Sequence, residues 1–171
     1  MSSIETSMIT IRGYKREDAK ALASIYYHTI HTINIRDYTE TQVNVWAPEA
    51  SKETAGWMKK WDKLVPFVAL IDEKPVGFVE LEPTGHIDCF YVHHEHQGQG
   101  VGSALMKFIF NEAKKRKMKE LFAEVSITAK PFFESHGFMV VKPQTIVRQG
   151  VELCNFVMRK SMIEHQLHSN I

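Results

Sequence analysis

The residues with the clearest chemical potential are Gly98, Gly100 and Gly102, set at alternate positions in the stretch His93-His94-Glu95-His96-Gln97-Gly98-Gln99-Gly100-Val101-Gly102-Ser103. They follow an apolar strand-like run, Ile87 to Val92, and lead straight into a helix-like run, Val101 to Lys117. Without Cβ atoms, glycines let backbone N–H groups converge on a ligand. A helix that begins there adds its unpaired first-turn donors and the positive end of its dipole. Such a stretch can cradle a phosphate or pyrophosphate. Just upstream, Asp88 interrupts the apolar run with a carboxylate, and His86 stands two residues before it. A carboxylate inside such a strand is costly unless it is paired or put to use. Strand alternation would place His86, Asp88, Phe90 and Val92 on one face, with Ile87, Cys89 and Tyr91 on the other.

Two neighbouring chemistries are disfavoured by the same residues. The loop lacks the Lys-Ser/Thr that follows the last glycine of a P-loop, which counts against an ATP or GTP site. His93, His94 and His96 invite a metal reading, but a strand end sends residues 93 and 94 to opposite sides and no cysteine is near. No metal is expected there, because zinc sites favour defined ligand spacings.

The elements that must position these groups can be read in order. Ile9 and Ile11 alternate with polar residues, as in a first strand with one face on a core. From Arg16, Leu22, Ile25, Tyr26, Ile30 and Ile33 recur at helical spacing. Thr39-Glu40-Thr41-Gln42 fits a capping box for a second helix, which Pro48 ends, and Trp57 with Trp61 marks a third on i, i+4 spacing. Phe67 to Ile71, Val76 to Leu81 and His86 to Val92 are strands separated by turns at Asp72–Pro75 and Pro83–Gly85. After the glycine loop come a helix with the stripe Val101, Leu105, Phe108, Ile109 and Ala113, then a strand at Leu121–Val125. A short helix, Ala129–Ser135, is closed by Gly137, and Phe138–Arg148 with Val151–Met158 flank Gln149-Gly150 as a hairpin. This order implies an α/β (α+β) fold with a mixed, mostly antiparallel sheet. Strict alternation of strands and long helices, as in a doubly wound dinucleotide fold, is missing.

Composition sets the outer bounds. A chain of 171 residues with 24% charged residues and a net charge of +1 suits a single globular domain, 1–171, whose ends (1–7 and 164–171) are expected to fray. The charge gives no global case for nucleic acid or an anionic membrane. No apolar run approaches the ~20 residues that span a bilayer, and Met1 to Ser7 is unlike a signal peptide. Cys89 and Cys154 lie in apolar runs, which suits small buried hydrophobes and a reducing cytoplasm rather than a disulfide framework.

Gln97-x-x-Gly100-x-Gly102, after a strand ending Phe90-Tyr91-Val92 and before a helix, resembles the acyl-CoA-binding signature of the Gcn5-related N-acetyltransferases. Ser126-x-x-Ala129-x-x-Phe132-Phe133-x-x-x-Gly137-Phe138 is similar to that family's second segment at the family's spacing. The order of elements also agrees from Ile9 to the final hairpin, so the resemblance covers nearly the whole chain. Trp46-Ala47-Pro48, Ile87 to His93 and Ser126 to Ala129 further resemble a bacterial subgroup of small uncharacterised acetyltransferases.

The resemblance implies a sheet of about seven strands whose fourth and fifth splay apart, with the pantetheine of acetyl-CoA in the gap. On that footing Phe90, Tyr91 and Val92 would flank the pantetheine. Gln97, Gly98, Gln99, Gly100, Val101, Gly102 and Ser103 would hold the pyrophosphate. Ser126, Phe132 and Phe133 would pack near the thioester. It also implies direct attack of an amine on acetyl-CoA, a small-molecule acceptor being favoured over a protein. Tyr26, His28, His31 and Trp46 fall in the helical region that covers the acceptor site in the family, although core packing suits Tyr26 and Trp46 equally. A homodimer is possible through the edges of the final hairpin.

The energetics of that reaction weigh on the base. An amine of pKa ~10.4 stands about 3.4 units, or roughly 4.6 kcal/mol, from its free form at neutral pH. The resemblance puts the base on strand four, which points to Asp88 and then His86; alternatively Asp88 simply bonds a loop or a tyrosine hydroxyl. A leaving thiolate with pKa near ~8.5 gains only about 2 kcal/mol from protonation. The family's usual acid, a tyrosine, corresponds to Phe133 here, so Tyr91, Tyr26 or a water would substitute, or no acid acts. That same phenylalanine motivates a rival reading, a sensor that binds acyl-CoA without turnover.

Overall fold

The computed structural model describes residues 8–163; the termini expected to fray lie outside them. Among the described residues, seven strands and five α-helices follow the expected order: β1 (Ile9–Gly13), α1 (Ala19–Thr32), α2 (Glu40–Trp46), α3 (Thr54–Lys63), β2 (Phe67–Ile71), β3 (Lys74–Leu81), β4 (Ile87–Val92), α4 (Val101–Lys115), β5 (Glu120–Ser126), α5 (Lys130–Ser135), β6 (Met139–Arg148) and β7 (Val151–Ser161). The capping box forms as read: the Gln42 N–H donates to Thr39 Oγ1 and the Thr39 N–H to Gln42 Oε1.

The strands make two antiparallel groups, β1-β2-β3-β4 and β5-β7-β6. They meet at one parallel bridge, His86 to Phe122, so β4 and β5 touch at one end and diverge beyond it. Gly85 makes the junction possible. Its φ is +92°, the Phe122 N–H donates to its carbonyl, and a Cβ there would overlap the Glu120 carbonyl.

Cores lie on both faces. α4 packs Val101, Leu105, Met106 and Ile109 with Val79, Ile87, Leu121 and Ala123. α1, α2 and α3 cover the other face with Leu22, Ile25, Val43 and Trp61 around Phe78. Tyr38 ties those helices to the second group of strands: its hydroxyl donates to the Cys154 carbonyl at 2.6 Å and accepts from the Ile127 N–H at 3.0 Å.

Strict alternation along β4 does not hold. Ile87 pairs with Leu81 while Phe90 pairs with Val79, so three steps on β4 oppose two on β3. This bulge puts Asp88 and Cys89 on the same side, where both approach Glu80. Ile87 joins Phe90 and Val92 on the α4 side instead of opposing them. A second correction concerns Cys154: Cys89 is buried, but Cys154 is exposed.

Candidate active site

The open end of the β4–β5 gap holds a cavity of about 270 Å³. Gln97, Gly98, Gly100, Val101, Gly102 and Ser103 form one wall, and Phe90, Tyr91, Val92 and Phe132 form another. Gly100 caps α4 with φ +85°, a left-handed turn that aims the helix's first N–H groups at this space. A Cβ on Gly98 or Gly100 would meet nothing within 4 Å, so their missing side chains leave the cradle open. Gly102 serves a different end, since its Cβ would press on the Phe132 ring at 3.1 Å. Donors converging on a helix start beside aromatic walls fit a pyrophosphate with an apolar arm.

Three residues expected at this cavity do not line it. Gln99 lies 3.2 Å from His96, outside the wall. Ser126 accepts the Ala129 N–H at 3.0 Å and faces the neighbouring cavity. Phe133 is 4% exposed and packs on Phe90 and Phe138 within the core. Gln97 does line it, while its amide donates to the Val92 carbonyl at 2.8 Å, folding the loop back onto the strand end. That carbonyl also accepts from Thr29 Oγ1 at 3.0 Å.

A second cavity, of about 430 Å³, lies against the first. Tyr26, Trp46 and Trp57 wall it from the helices; Gln144, Ile146, Arg148 and Asn155 wall it from the final hairpin; and Asp88, His86 and Glu124 come from the β4–β5 junction. Tyr91 lines both cavities. Its ring packs edge-on against Tyr26, 5.1 Å between centroids. Burial, reinforced by Tyr26 and Cys89, drives its phenol well above the usual value, so it keeps its proton at neutral pH. Burial likewise pushes Tyr26 up to about 12, and its hydroxyl donates to the Trp46 carbonyl at 3.0 Å. His28 and His31 do not reach this cavity; His31 bonds the Ala47 carbonyl at 2.7 Å.

Charge in the second cavity is arranged in pairs. Lys60, on α3, donates to Asp88 Oδ2 at 2.7 Å and to Glu80 Oε2 at 3.1 Å. Glu80 is fully buried and also accepts from Trp61 Nε1 at 2.9 Å. Burial opposes the charge on Lys60, but Cys89, Glu80 and Asp88 together outweigh it and raise its pKa. Glu80, Asp88 and Cys89 lie within 4.8 Å of one another, as metal ligands can, yet the Lys60 ammonium already supplies the positive charge their carboxylates call for. His86 is held between Glu82 and Glu124, the latter at 2.6 Å. Burial opposes its charge too, and the bonds to Glu124 and Glu82 prevail, raising its pKa.

Sequence reasoning missed Lys60, Glu124, Arg148 and Asn155. Glu124 was detectable by the argument that singles out Asp88, a carboxylate inside an apolar strand. The others come together only through the fold.

The acetyltransferase (GNAT) domain family matches residues 34–160. YafP of Escherichia coli K12, an N-acetyltransferase not yet characterised, is 34% identical over 151 residues, which is 88% of this chain and 95% of that one. Among solved structures, a GCN5-related N-acetyltransferase of Rhodopseudomonas palustris is similar at a TM-score of 0.85 and 30% identity, over 94% of this chain and 99% of its own. YncA of Salmonella typhimurium, solved with its cofactor acetyl-CoA, shares the fold at a TM-score of 0.67 and 20% identity, over 95% and 99% of the two chains. With this match, this relative and a glycine loop at the mouth of splayed strands, the chain belongs to the GNAT family and is an N-acetyltransferase.

Proposed function

We propose that the protein transfers the acetyl group of acetyl-CoA to the amine of a small molecule, with the co-substrate in the glycine-loop cavity and the acceptor in the larger one. The observation that carries this reading is Tyr91, which lines both cavities and so supports a meeting of thioester and amine beside it. The structure of YncA with acetyl-CoA supports the choice of co-substrate. A cavity of about 430 Å³ between the helices and the final hairpin is of the size that takes a small acceptor.

In the reaction the amine nitrogen bonds the acetyl carbon and the carbon–sulfur bond breaks. The amine's proton goes to Asp88, directly or through one water, and the electron pair leaves on sulfur. Asp88 is favoured over His86 because each ring nitrogen of His86 faces a carboxylate, Glu82 on one side and Glu124 on the other, and a ring that donates to both has no lone pair to offer. Lys60 fixes the Asp88 carboxylate at the cavity wall. Glu124 is the rival base, because it lines the same cavity and His86 links it to Glu82 as a path for the proton. Full proton transfer from the Tyr91 phenol to a thiolate of pKa ~8.5 would run uphill. Tyr91 therefore stabilises the departing sulfur by donating a hydrogen bond.

Thermal shift and thiol release test this together. Acetyl-CoA should stabilise the protein where ATP does not, and at least one amine of a small-molecule panel should release CoA thiol. Tyr91→Phe should slow that release about tenfold while acetyl-CoA affinity holds, the loss of one hydrogen bond to a charged group. Tight acetyl-CoA binding with no release on any amine would identify a sensor instead. Stabilisation by ATP alone would overturn the reading.

A further inference from the structure

Arg148 is the charge left over when the second cavity is accounted for. Lys60 there bonds Glu80 and Asp88, and His86 bonds Glu82 and Glu124. Among the described residues, no carboxylate forms an ion pair with Arg148. It sits at the end of β6 in a period-two row with Gln144 and Ile146, and all three line the cavity. Its guanidinium bears on the Tyr26 and Tyr91 phenols, partly offsetting the rise that burial causes in each.

A second group points to a ligand independently. Asn155 Oδ1 is buried without a hydrogen-bond partner in the same cavity. Asn155 pairs with Gln144 on β6 and with Ser126 on β5, which places it toward the divergence of β4 and β5. Buried polar atoms are normally satisfied, so an orphaned amide oxygen on a residue that lines the cavity suits a ligand that brings an N–H once the side chain turns toward it.

We infer that the acceptor is a small amine that also carries a carboxylate, of the amino-acid type, with Arg148 holding the carboxylate and Asn155 Oδ1 receiving an N–H. This rests on the acetyl transfer proposed above and narrows its acceptor. A guanidinium without a carboxylate partner is the side chain best matched to a carboxylate, which it can grip with two parallel hydrogen bonds. Polyamines and aminoglycosides fit poorly. Their extra ammonium groups would share the cavity with Arg148 and Lys60, while Asp88 and Glu124 are already bonded to Lys60 and His86.

The test compares leucine, phenylalanine and glutamine with their carboxamides, which keep the shape and remove the negative charge. The readout is the ratio of kcat/KM for acid over amide in the native protein, in Arg148→Met and in Arg148→Lys. Comparing ratios cancels the different amine pKa values of acid and amide. For at least one pair the ratio should be on the order of tenfold higher in the native protein than in R148M, the scale of a hydrogen bond to a charged group. The ratio in R148K should fall between the two, with acetyl-CoA thermal shift unchanged as the check on folding. A ratio untouched by R148M for all three pairs would overturn the inference.

A binding arm separates this failure from failure of the transfer reading. Calorimetric titration with N-acetyl-leucine, N-acetyl-phenylalanine, N-acetyl-glutamine and their amides needs no turnover. Carboxylate-dependent binding lost in R148M would support the Arg148 site even if no amine were acetylated. Absence of binding by all three acids to the native protein would overturn it.

Discussion

The Lys60 ammonium lies 2.7 Å from Asp88 Oδ2 and 3.1 Å from Glu80 Oε2, joining a helix of one layer to two adjacent strands of the sheet. Glu80 is fully buried, whereas Asp88 reaches the cavity. One cation thus serves two ends, holding a core carboxylate and fixing the cavity carboxylate proposed as the base.

Asp88→Asn removes the proposed base without removing Lys60 from Glu80, so the fold should persist. Activity at neutral pH should fall about a hundredfold or more, the range for losing a general base. It should recover in part as pH rises and the free amine grows more abundant. A pH–rate profile beside Glu124→Gln checks this; a steeper loss in E124Q than in D88N would move the base to Glu124.

Lys60→Met leaves Glu80 buried with Trp61 alone. Removing one partner of a buried pair costs on the order of 3–5 kcal/mol. Urea unfolding should show a loss at the lower end of that span, since Lys60 is partly exposed. Lys60→Met combined with Glu80→Gln should regain much of it, because the uncompensated charge is gone.

His86 fixes a pH dependence. The groups facing it are Glu82, Glu124 and the Phe122 ring. Its folded pKa is raised above the unfolded value, so the stability from its charge is complete below about pH 6.5 and lost as pH climbs through the raised value. The melting temperature should decline across that window. His86→Gln should flatten the decline, as scans in buffers of matched ionic strength would show.

Gly100→Val tests the cradle. The position has φ +85°, a region that costs a branched residue on the order of 1–2 kcal/mol, and the added side chain would project into open space at the loop. Acetyl-CoA affinity should drop more than tenfold by calorimetry, as the side chain occupies the cradle and the loop shifts to relieve its strain. Retained affinity would take the pyrophosphate away from this loop.

What the sequence disclosed was local. The glycine loop, the Thr39 cap and the Gly137-Phe138 turn depend on residue types at short fixed spacings, and each formed as read. The β4 bulge was hidden because it depends on register against β3, where Leu81 meets Ile87 and Val79 meets Phe90. No spacing along β4 encodes that. The partner of Asp88 was hidden for the same reason, since Lys60 stands 28 residues away on a helix. Arg148 and Asn155 read as ordinary hairpin residues until β6 and β7 fold over the helices and turn one face toward the cavity. Asp88 itself stood out because an unpaired carboxylate in an apolar strand is physically expensive.

The most direct test of acetyl transfer to a small amine is mass-spectrometric analysis of a metabolite pool incubated with the protein and acetyl-CoA, with Gly100→Val as control. The expected result is one or a few acetylated small amines that appear with the native protein and are absent with G100V. Acetylation confined to protein amines, or no acetylated species despite tight acetyl-CoA binding, would contradict it.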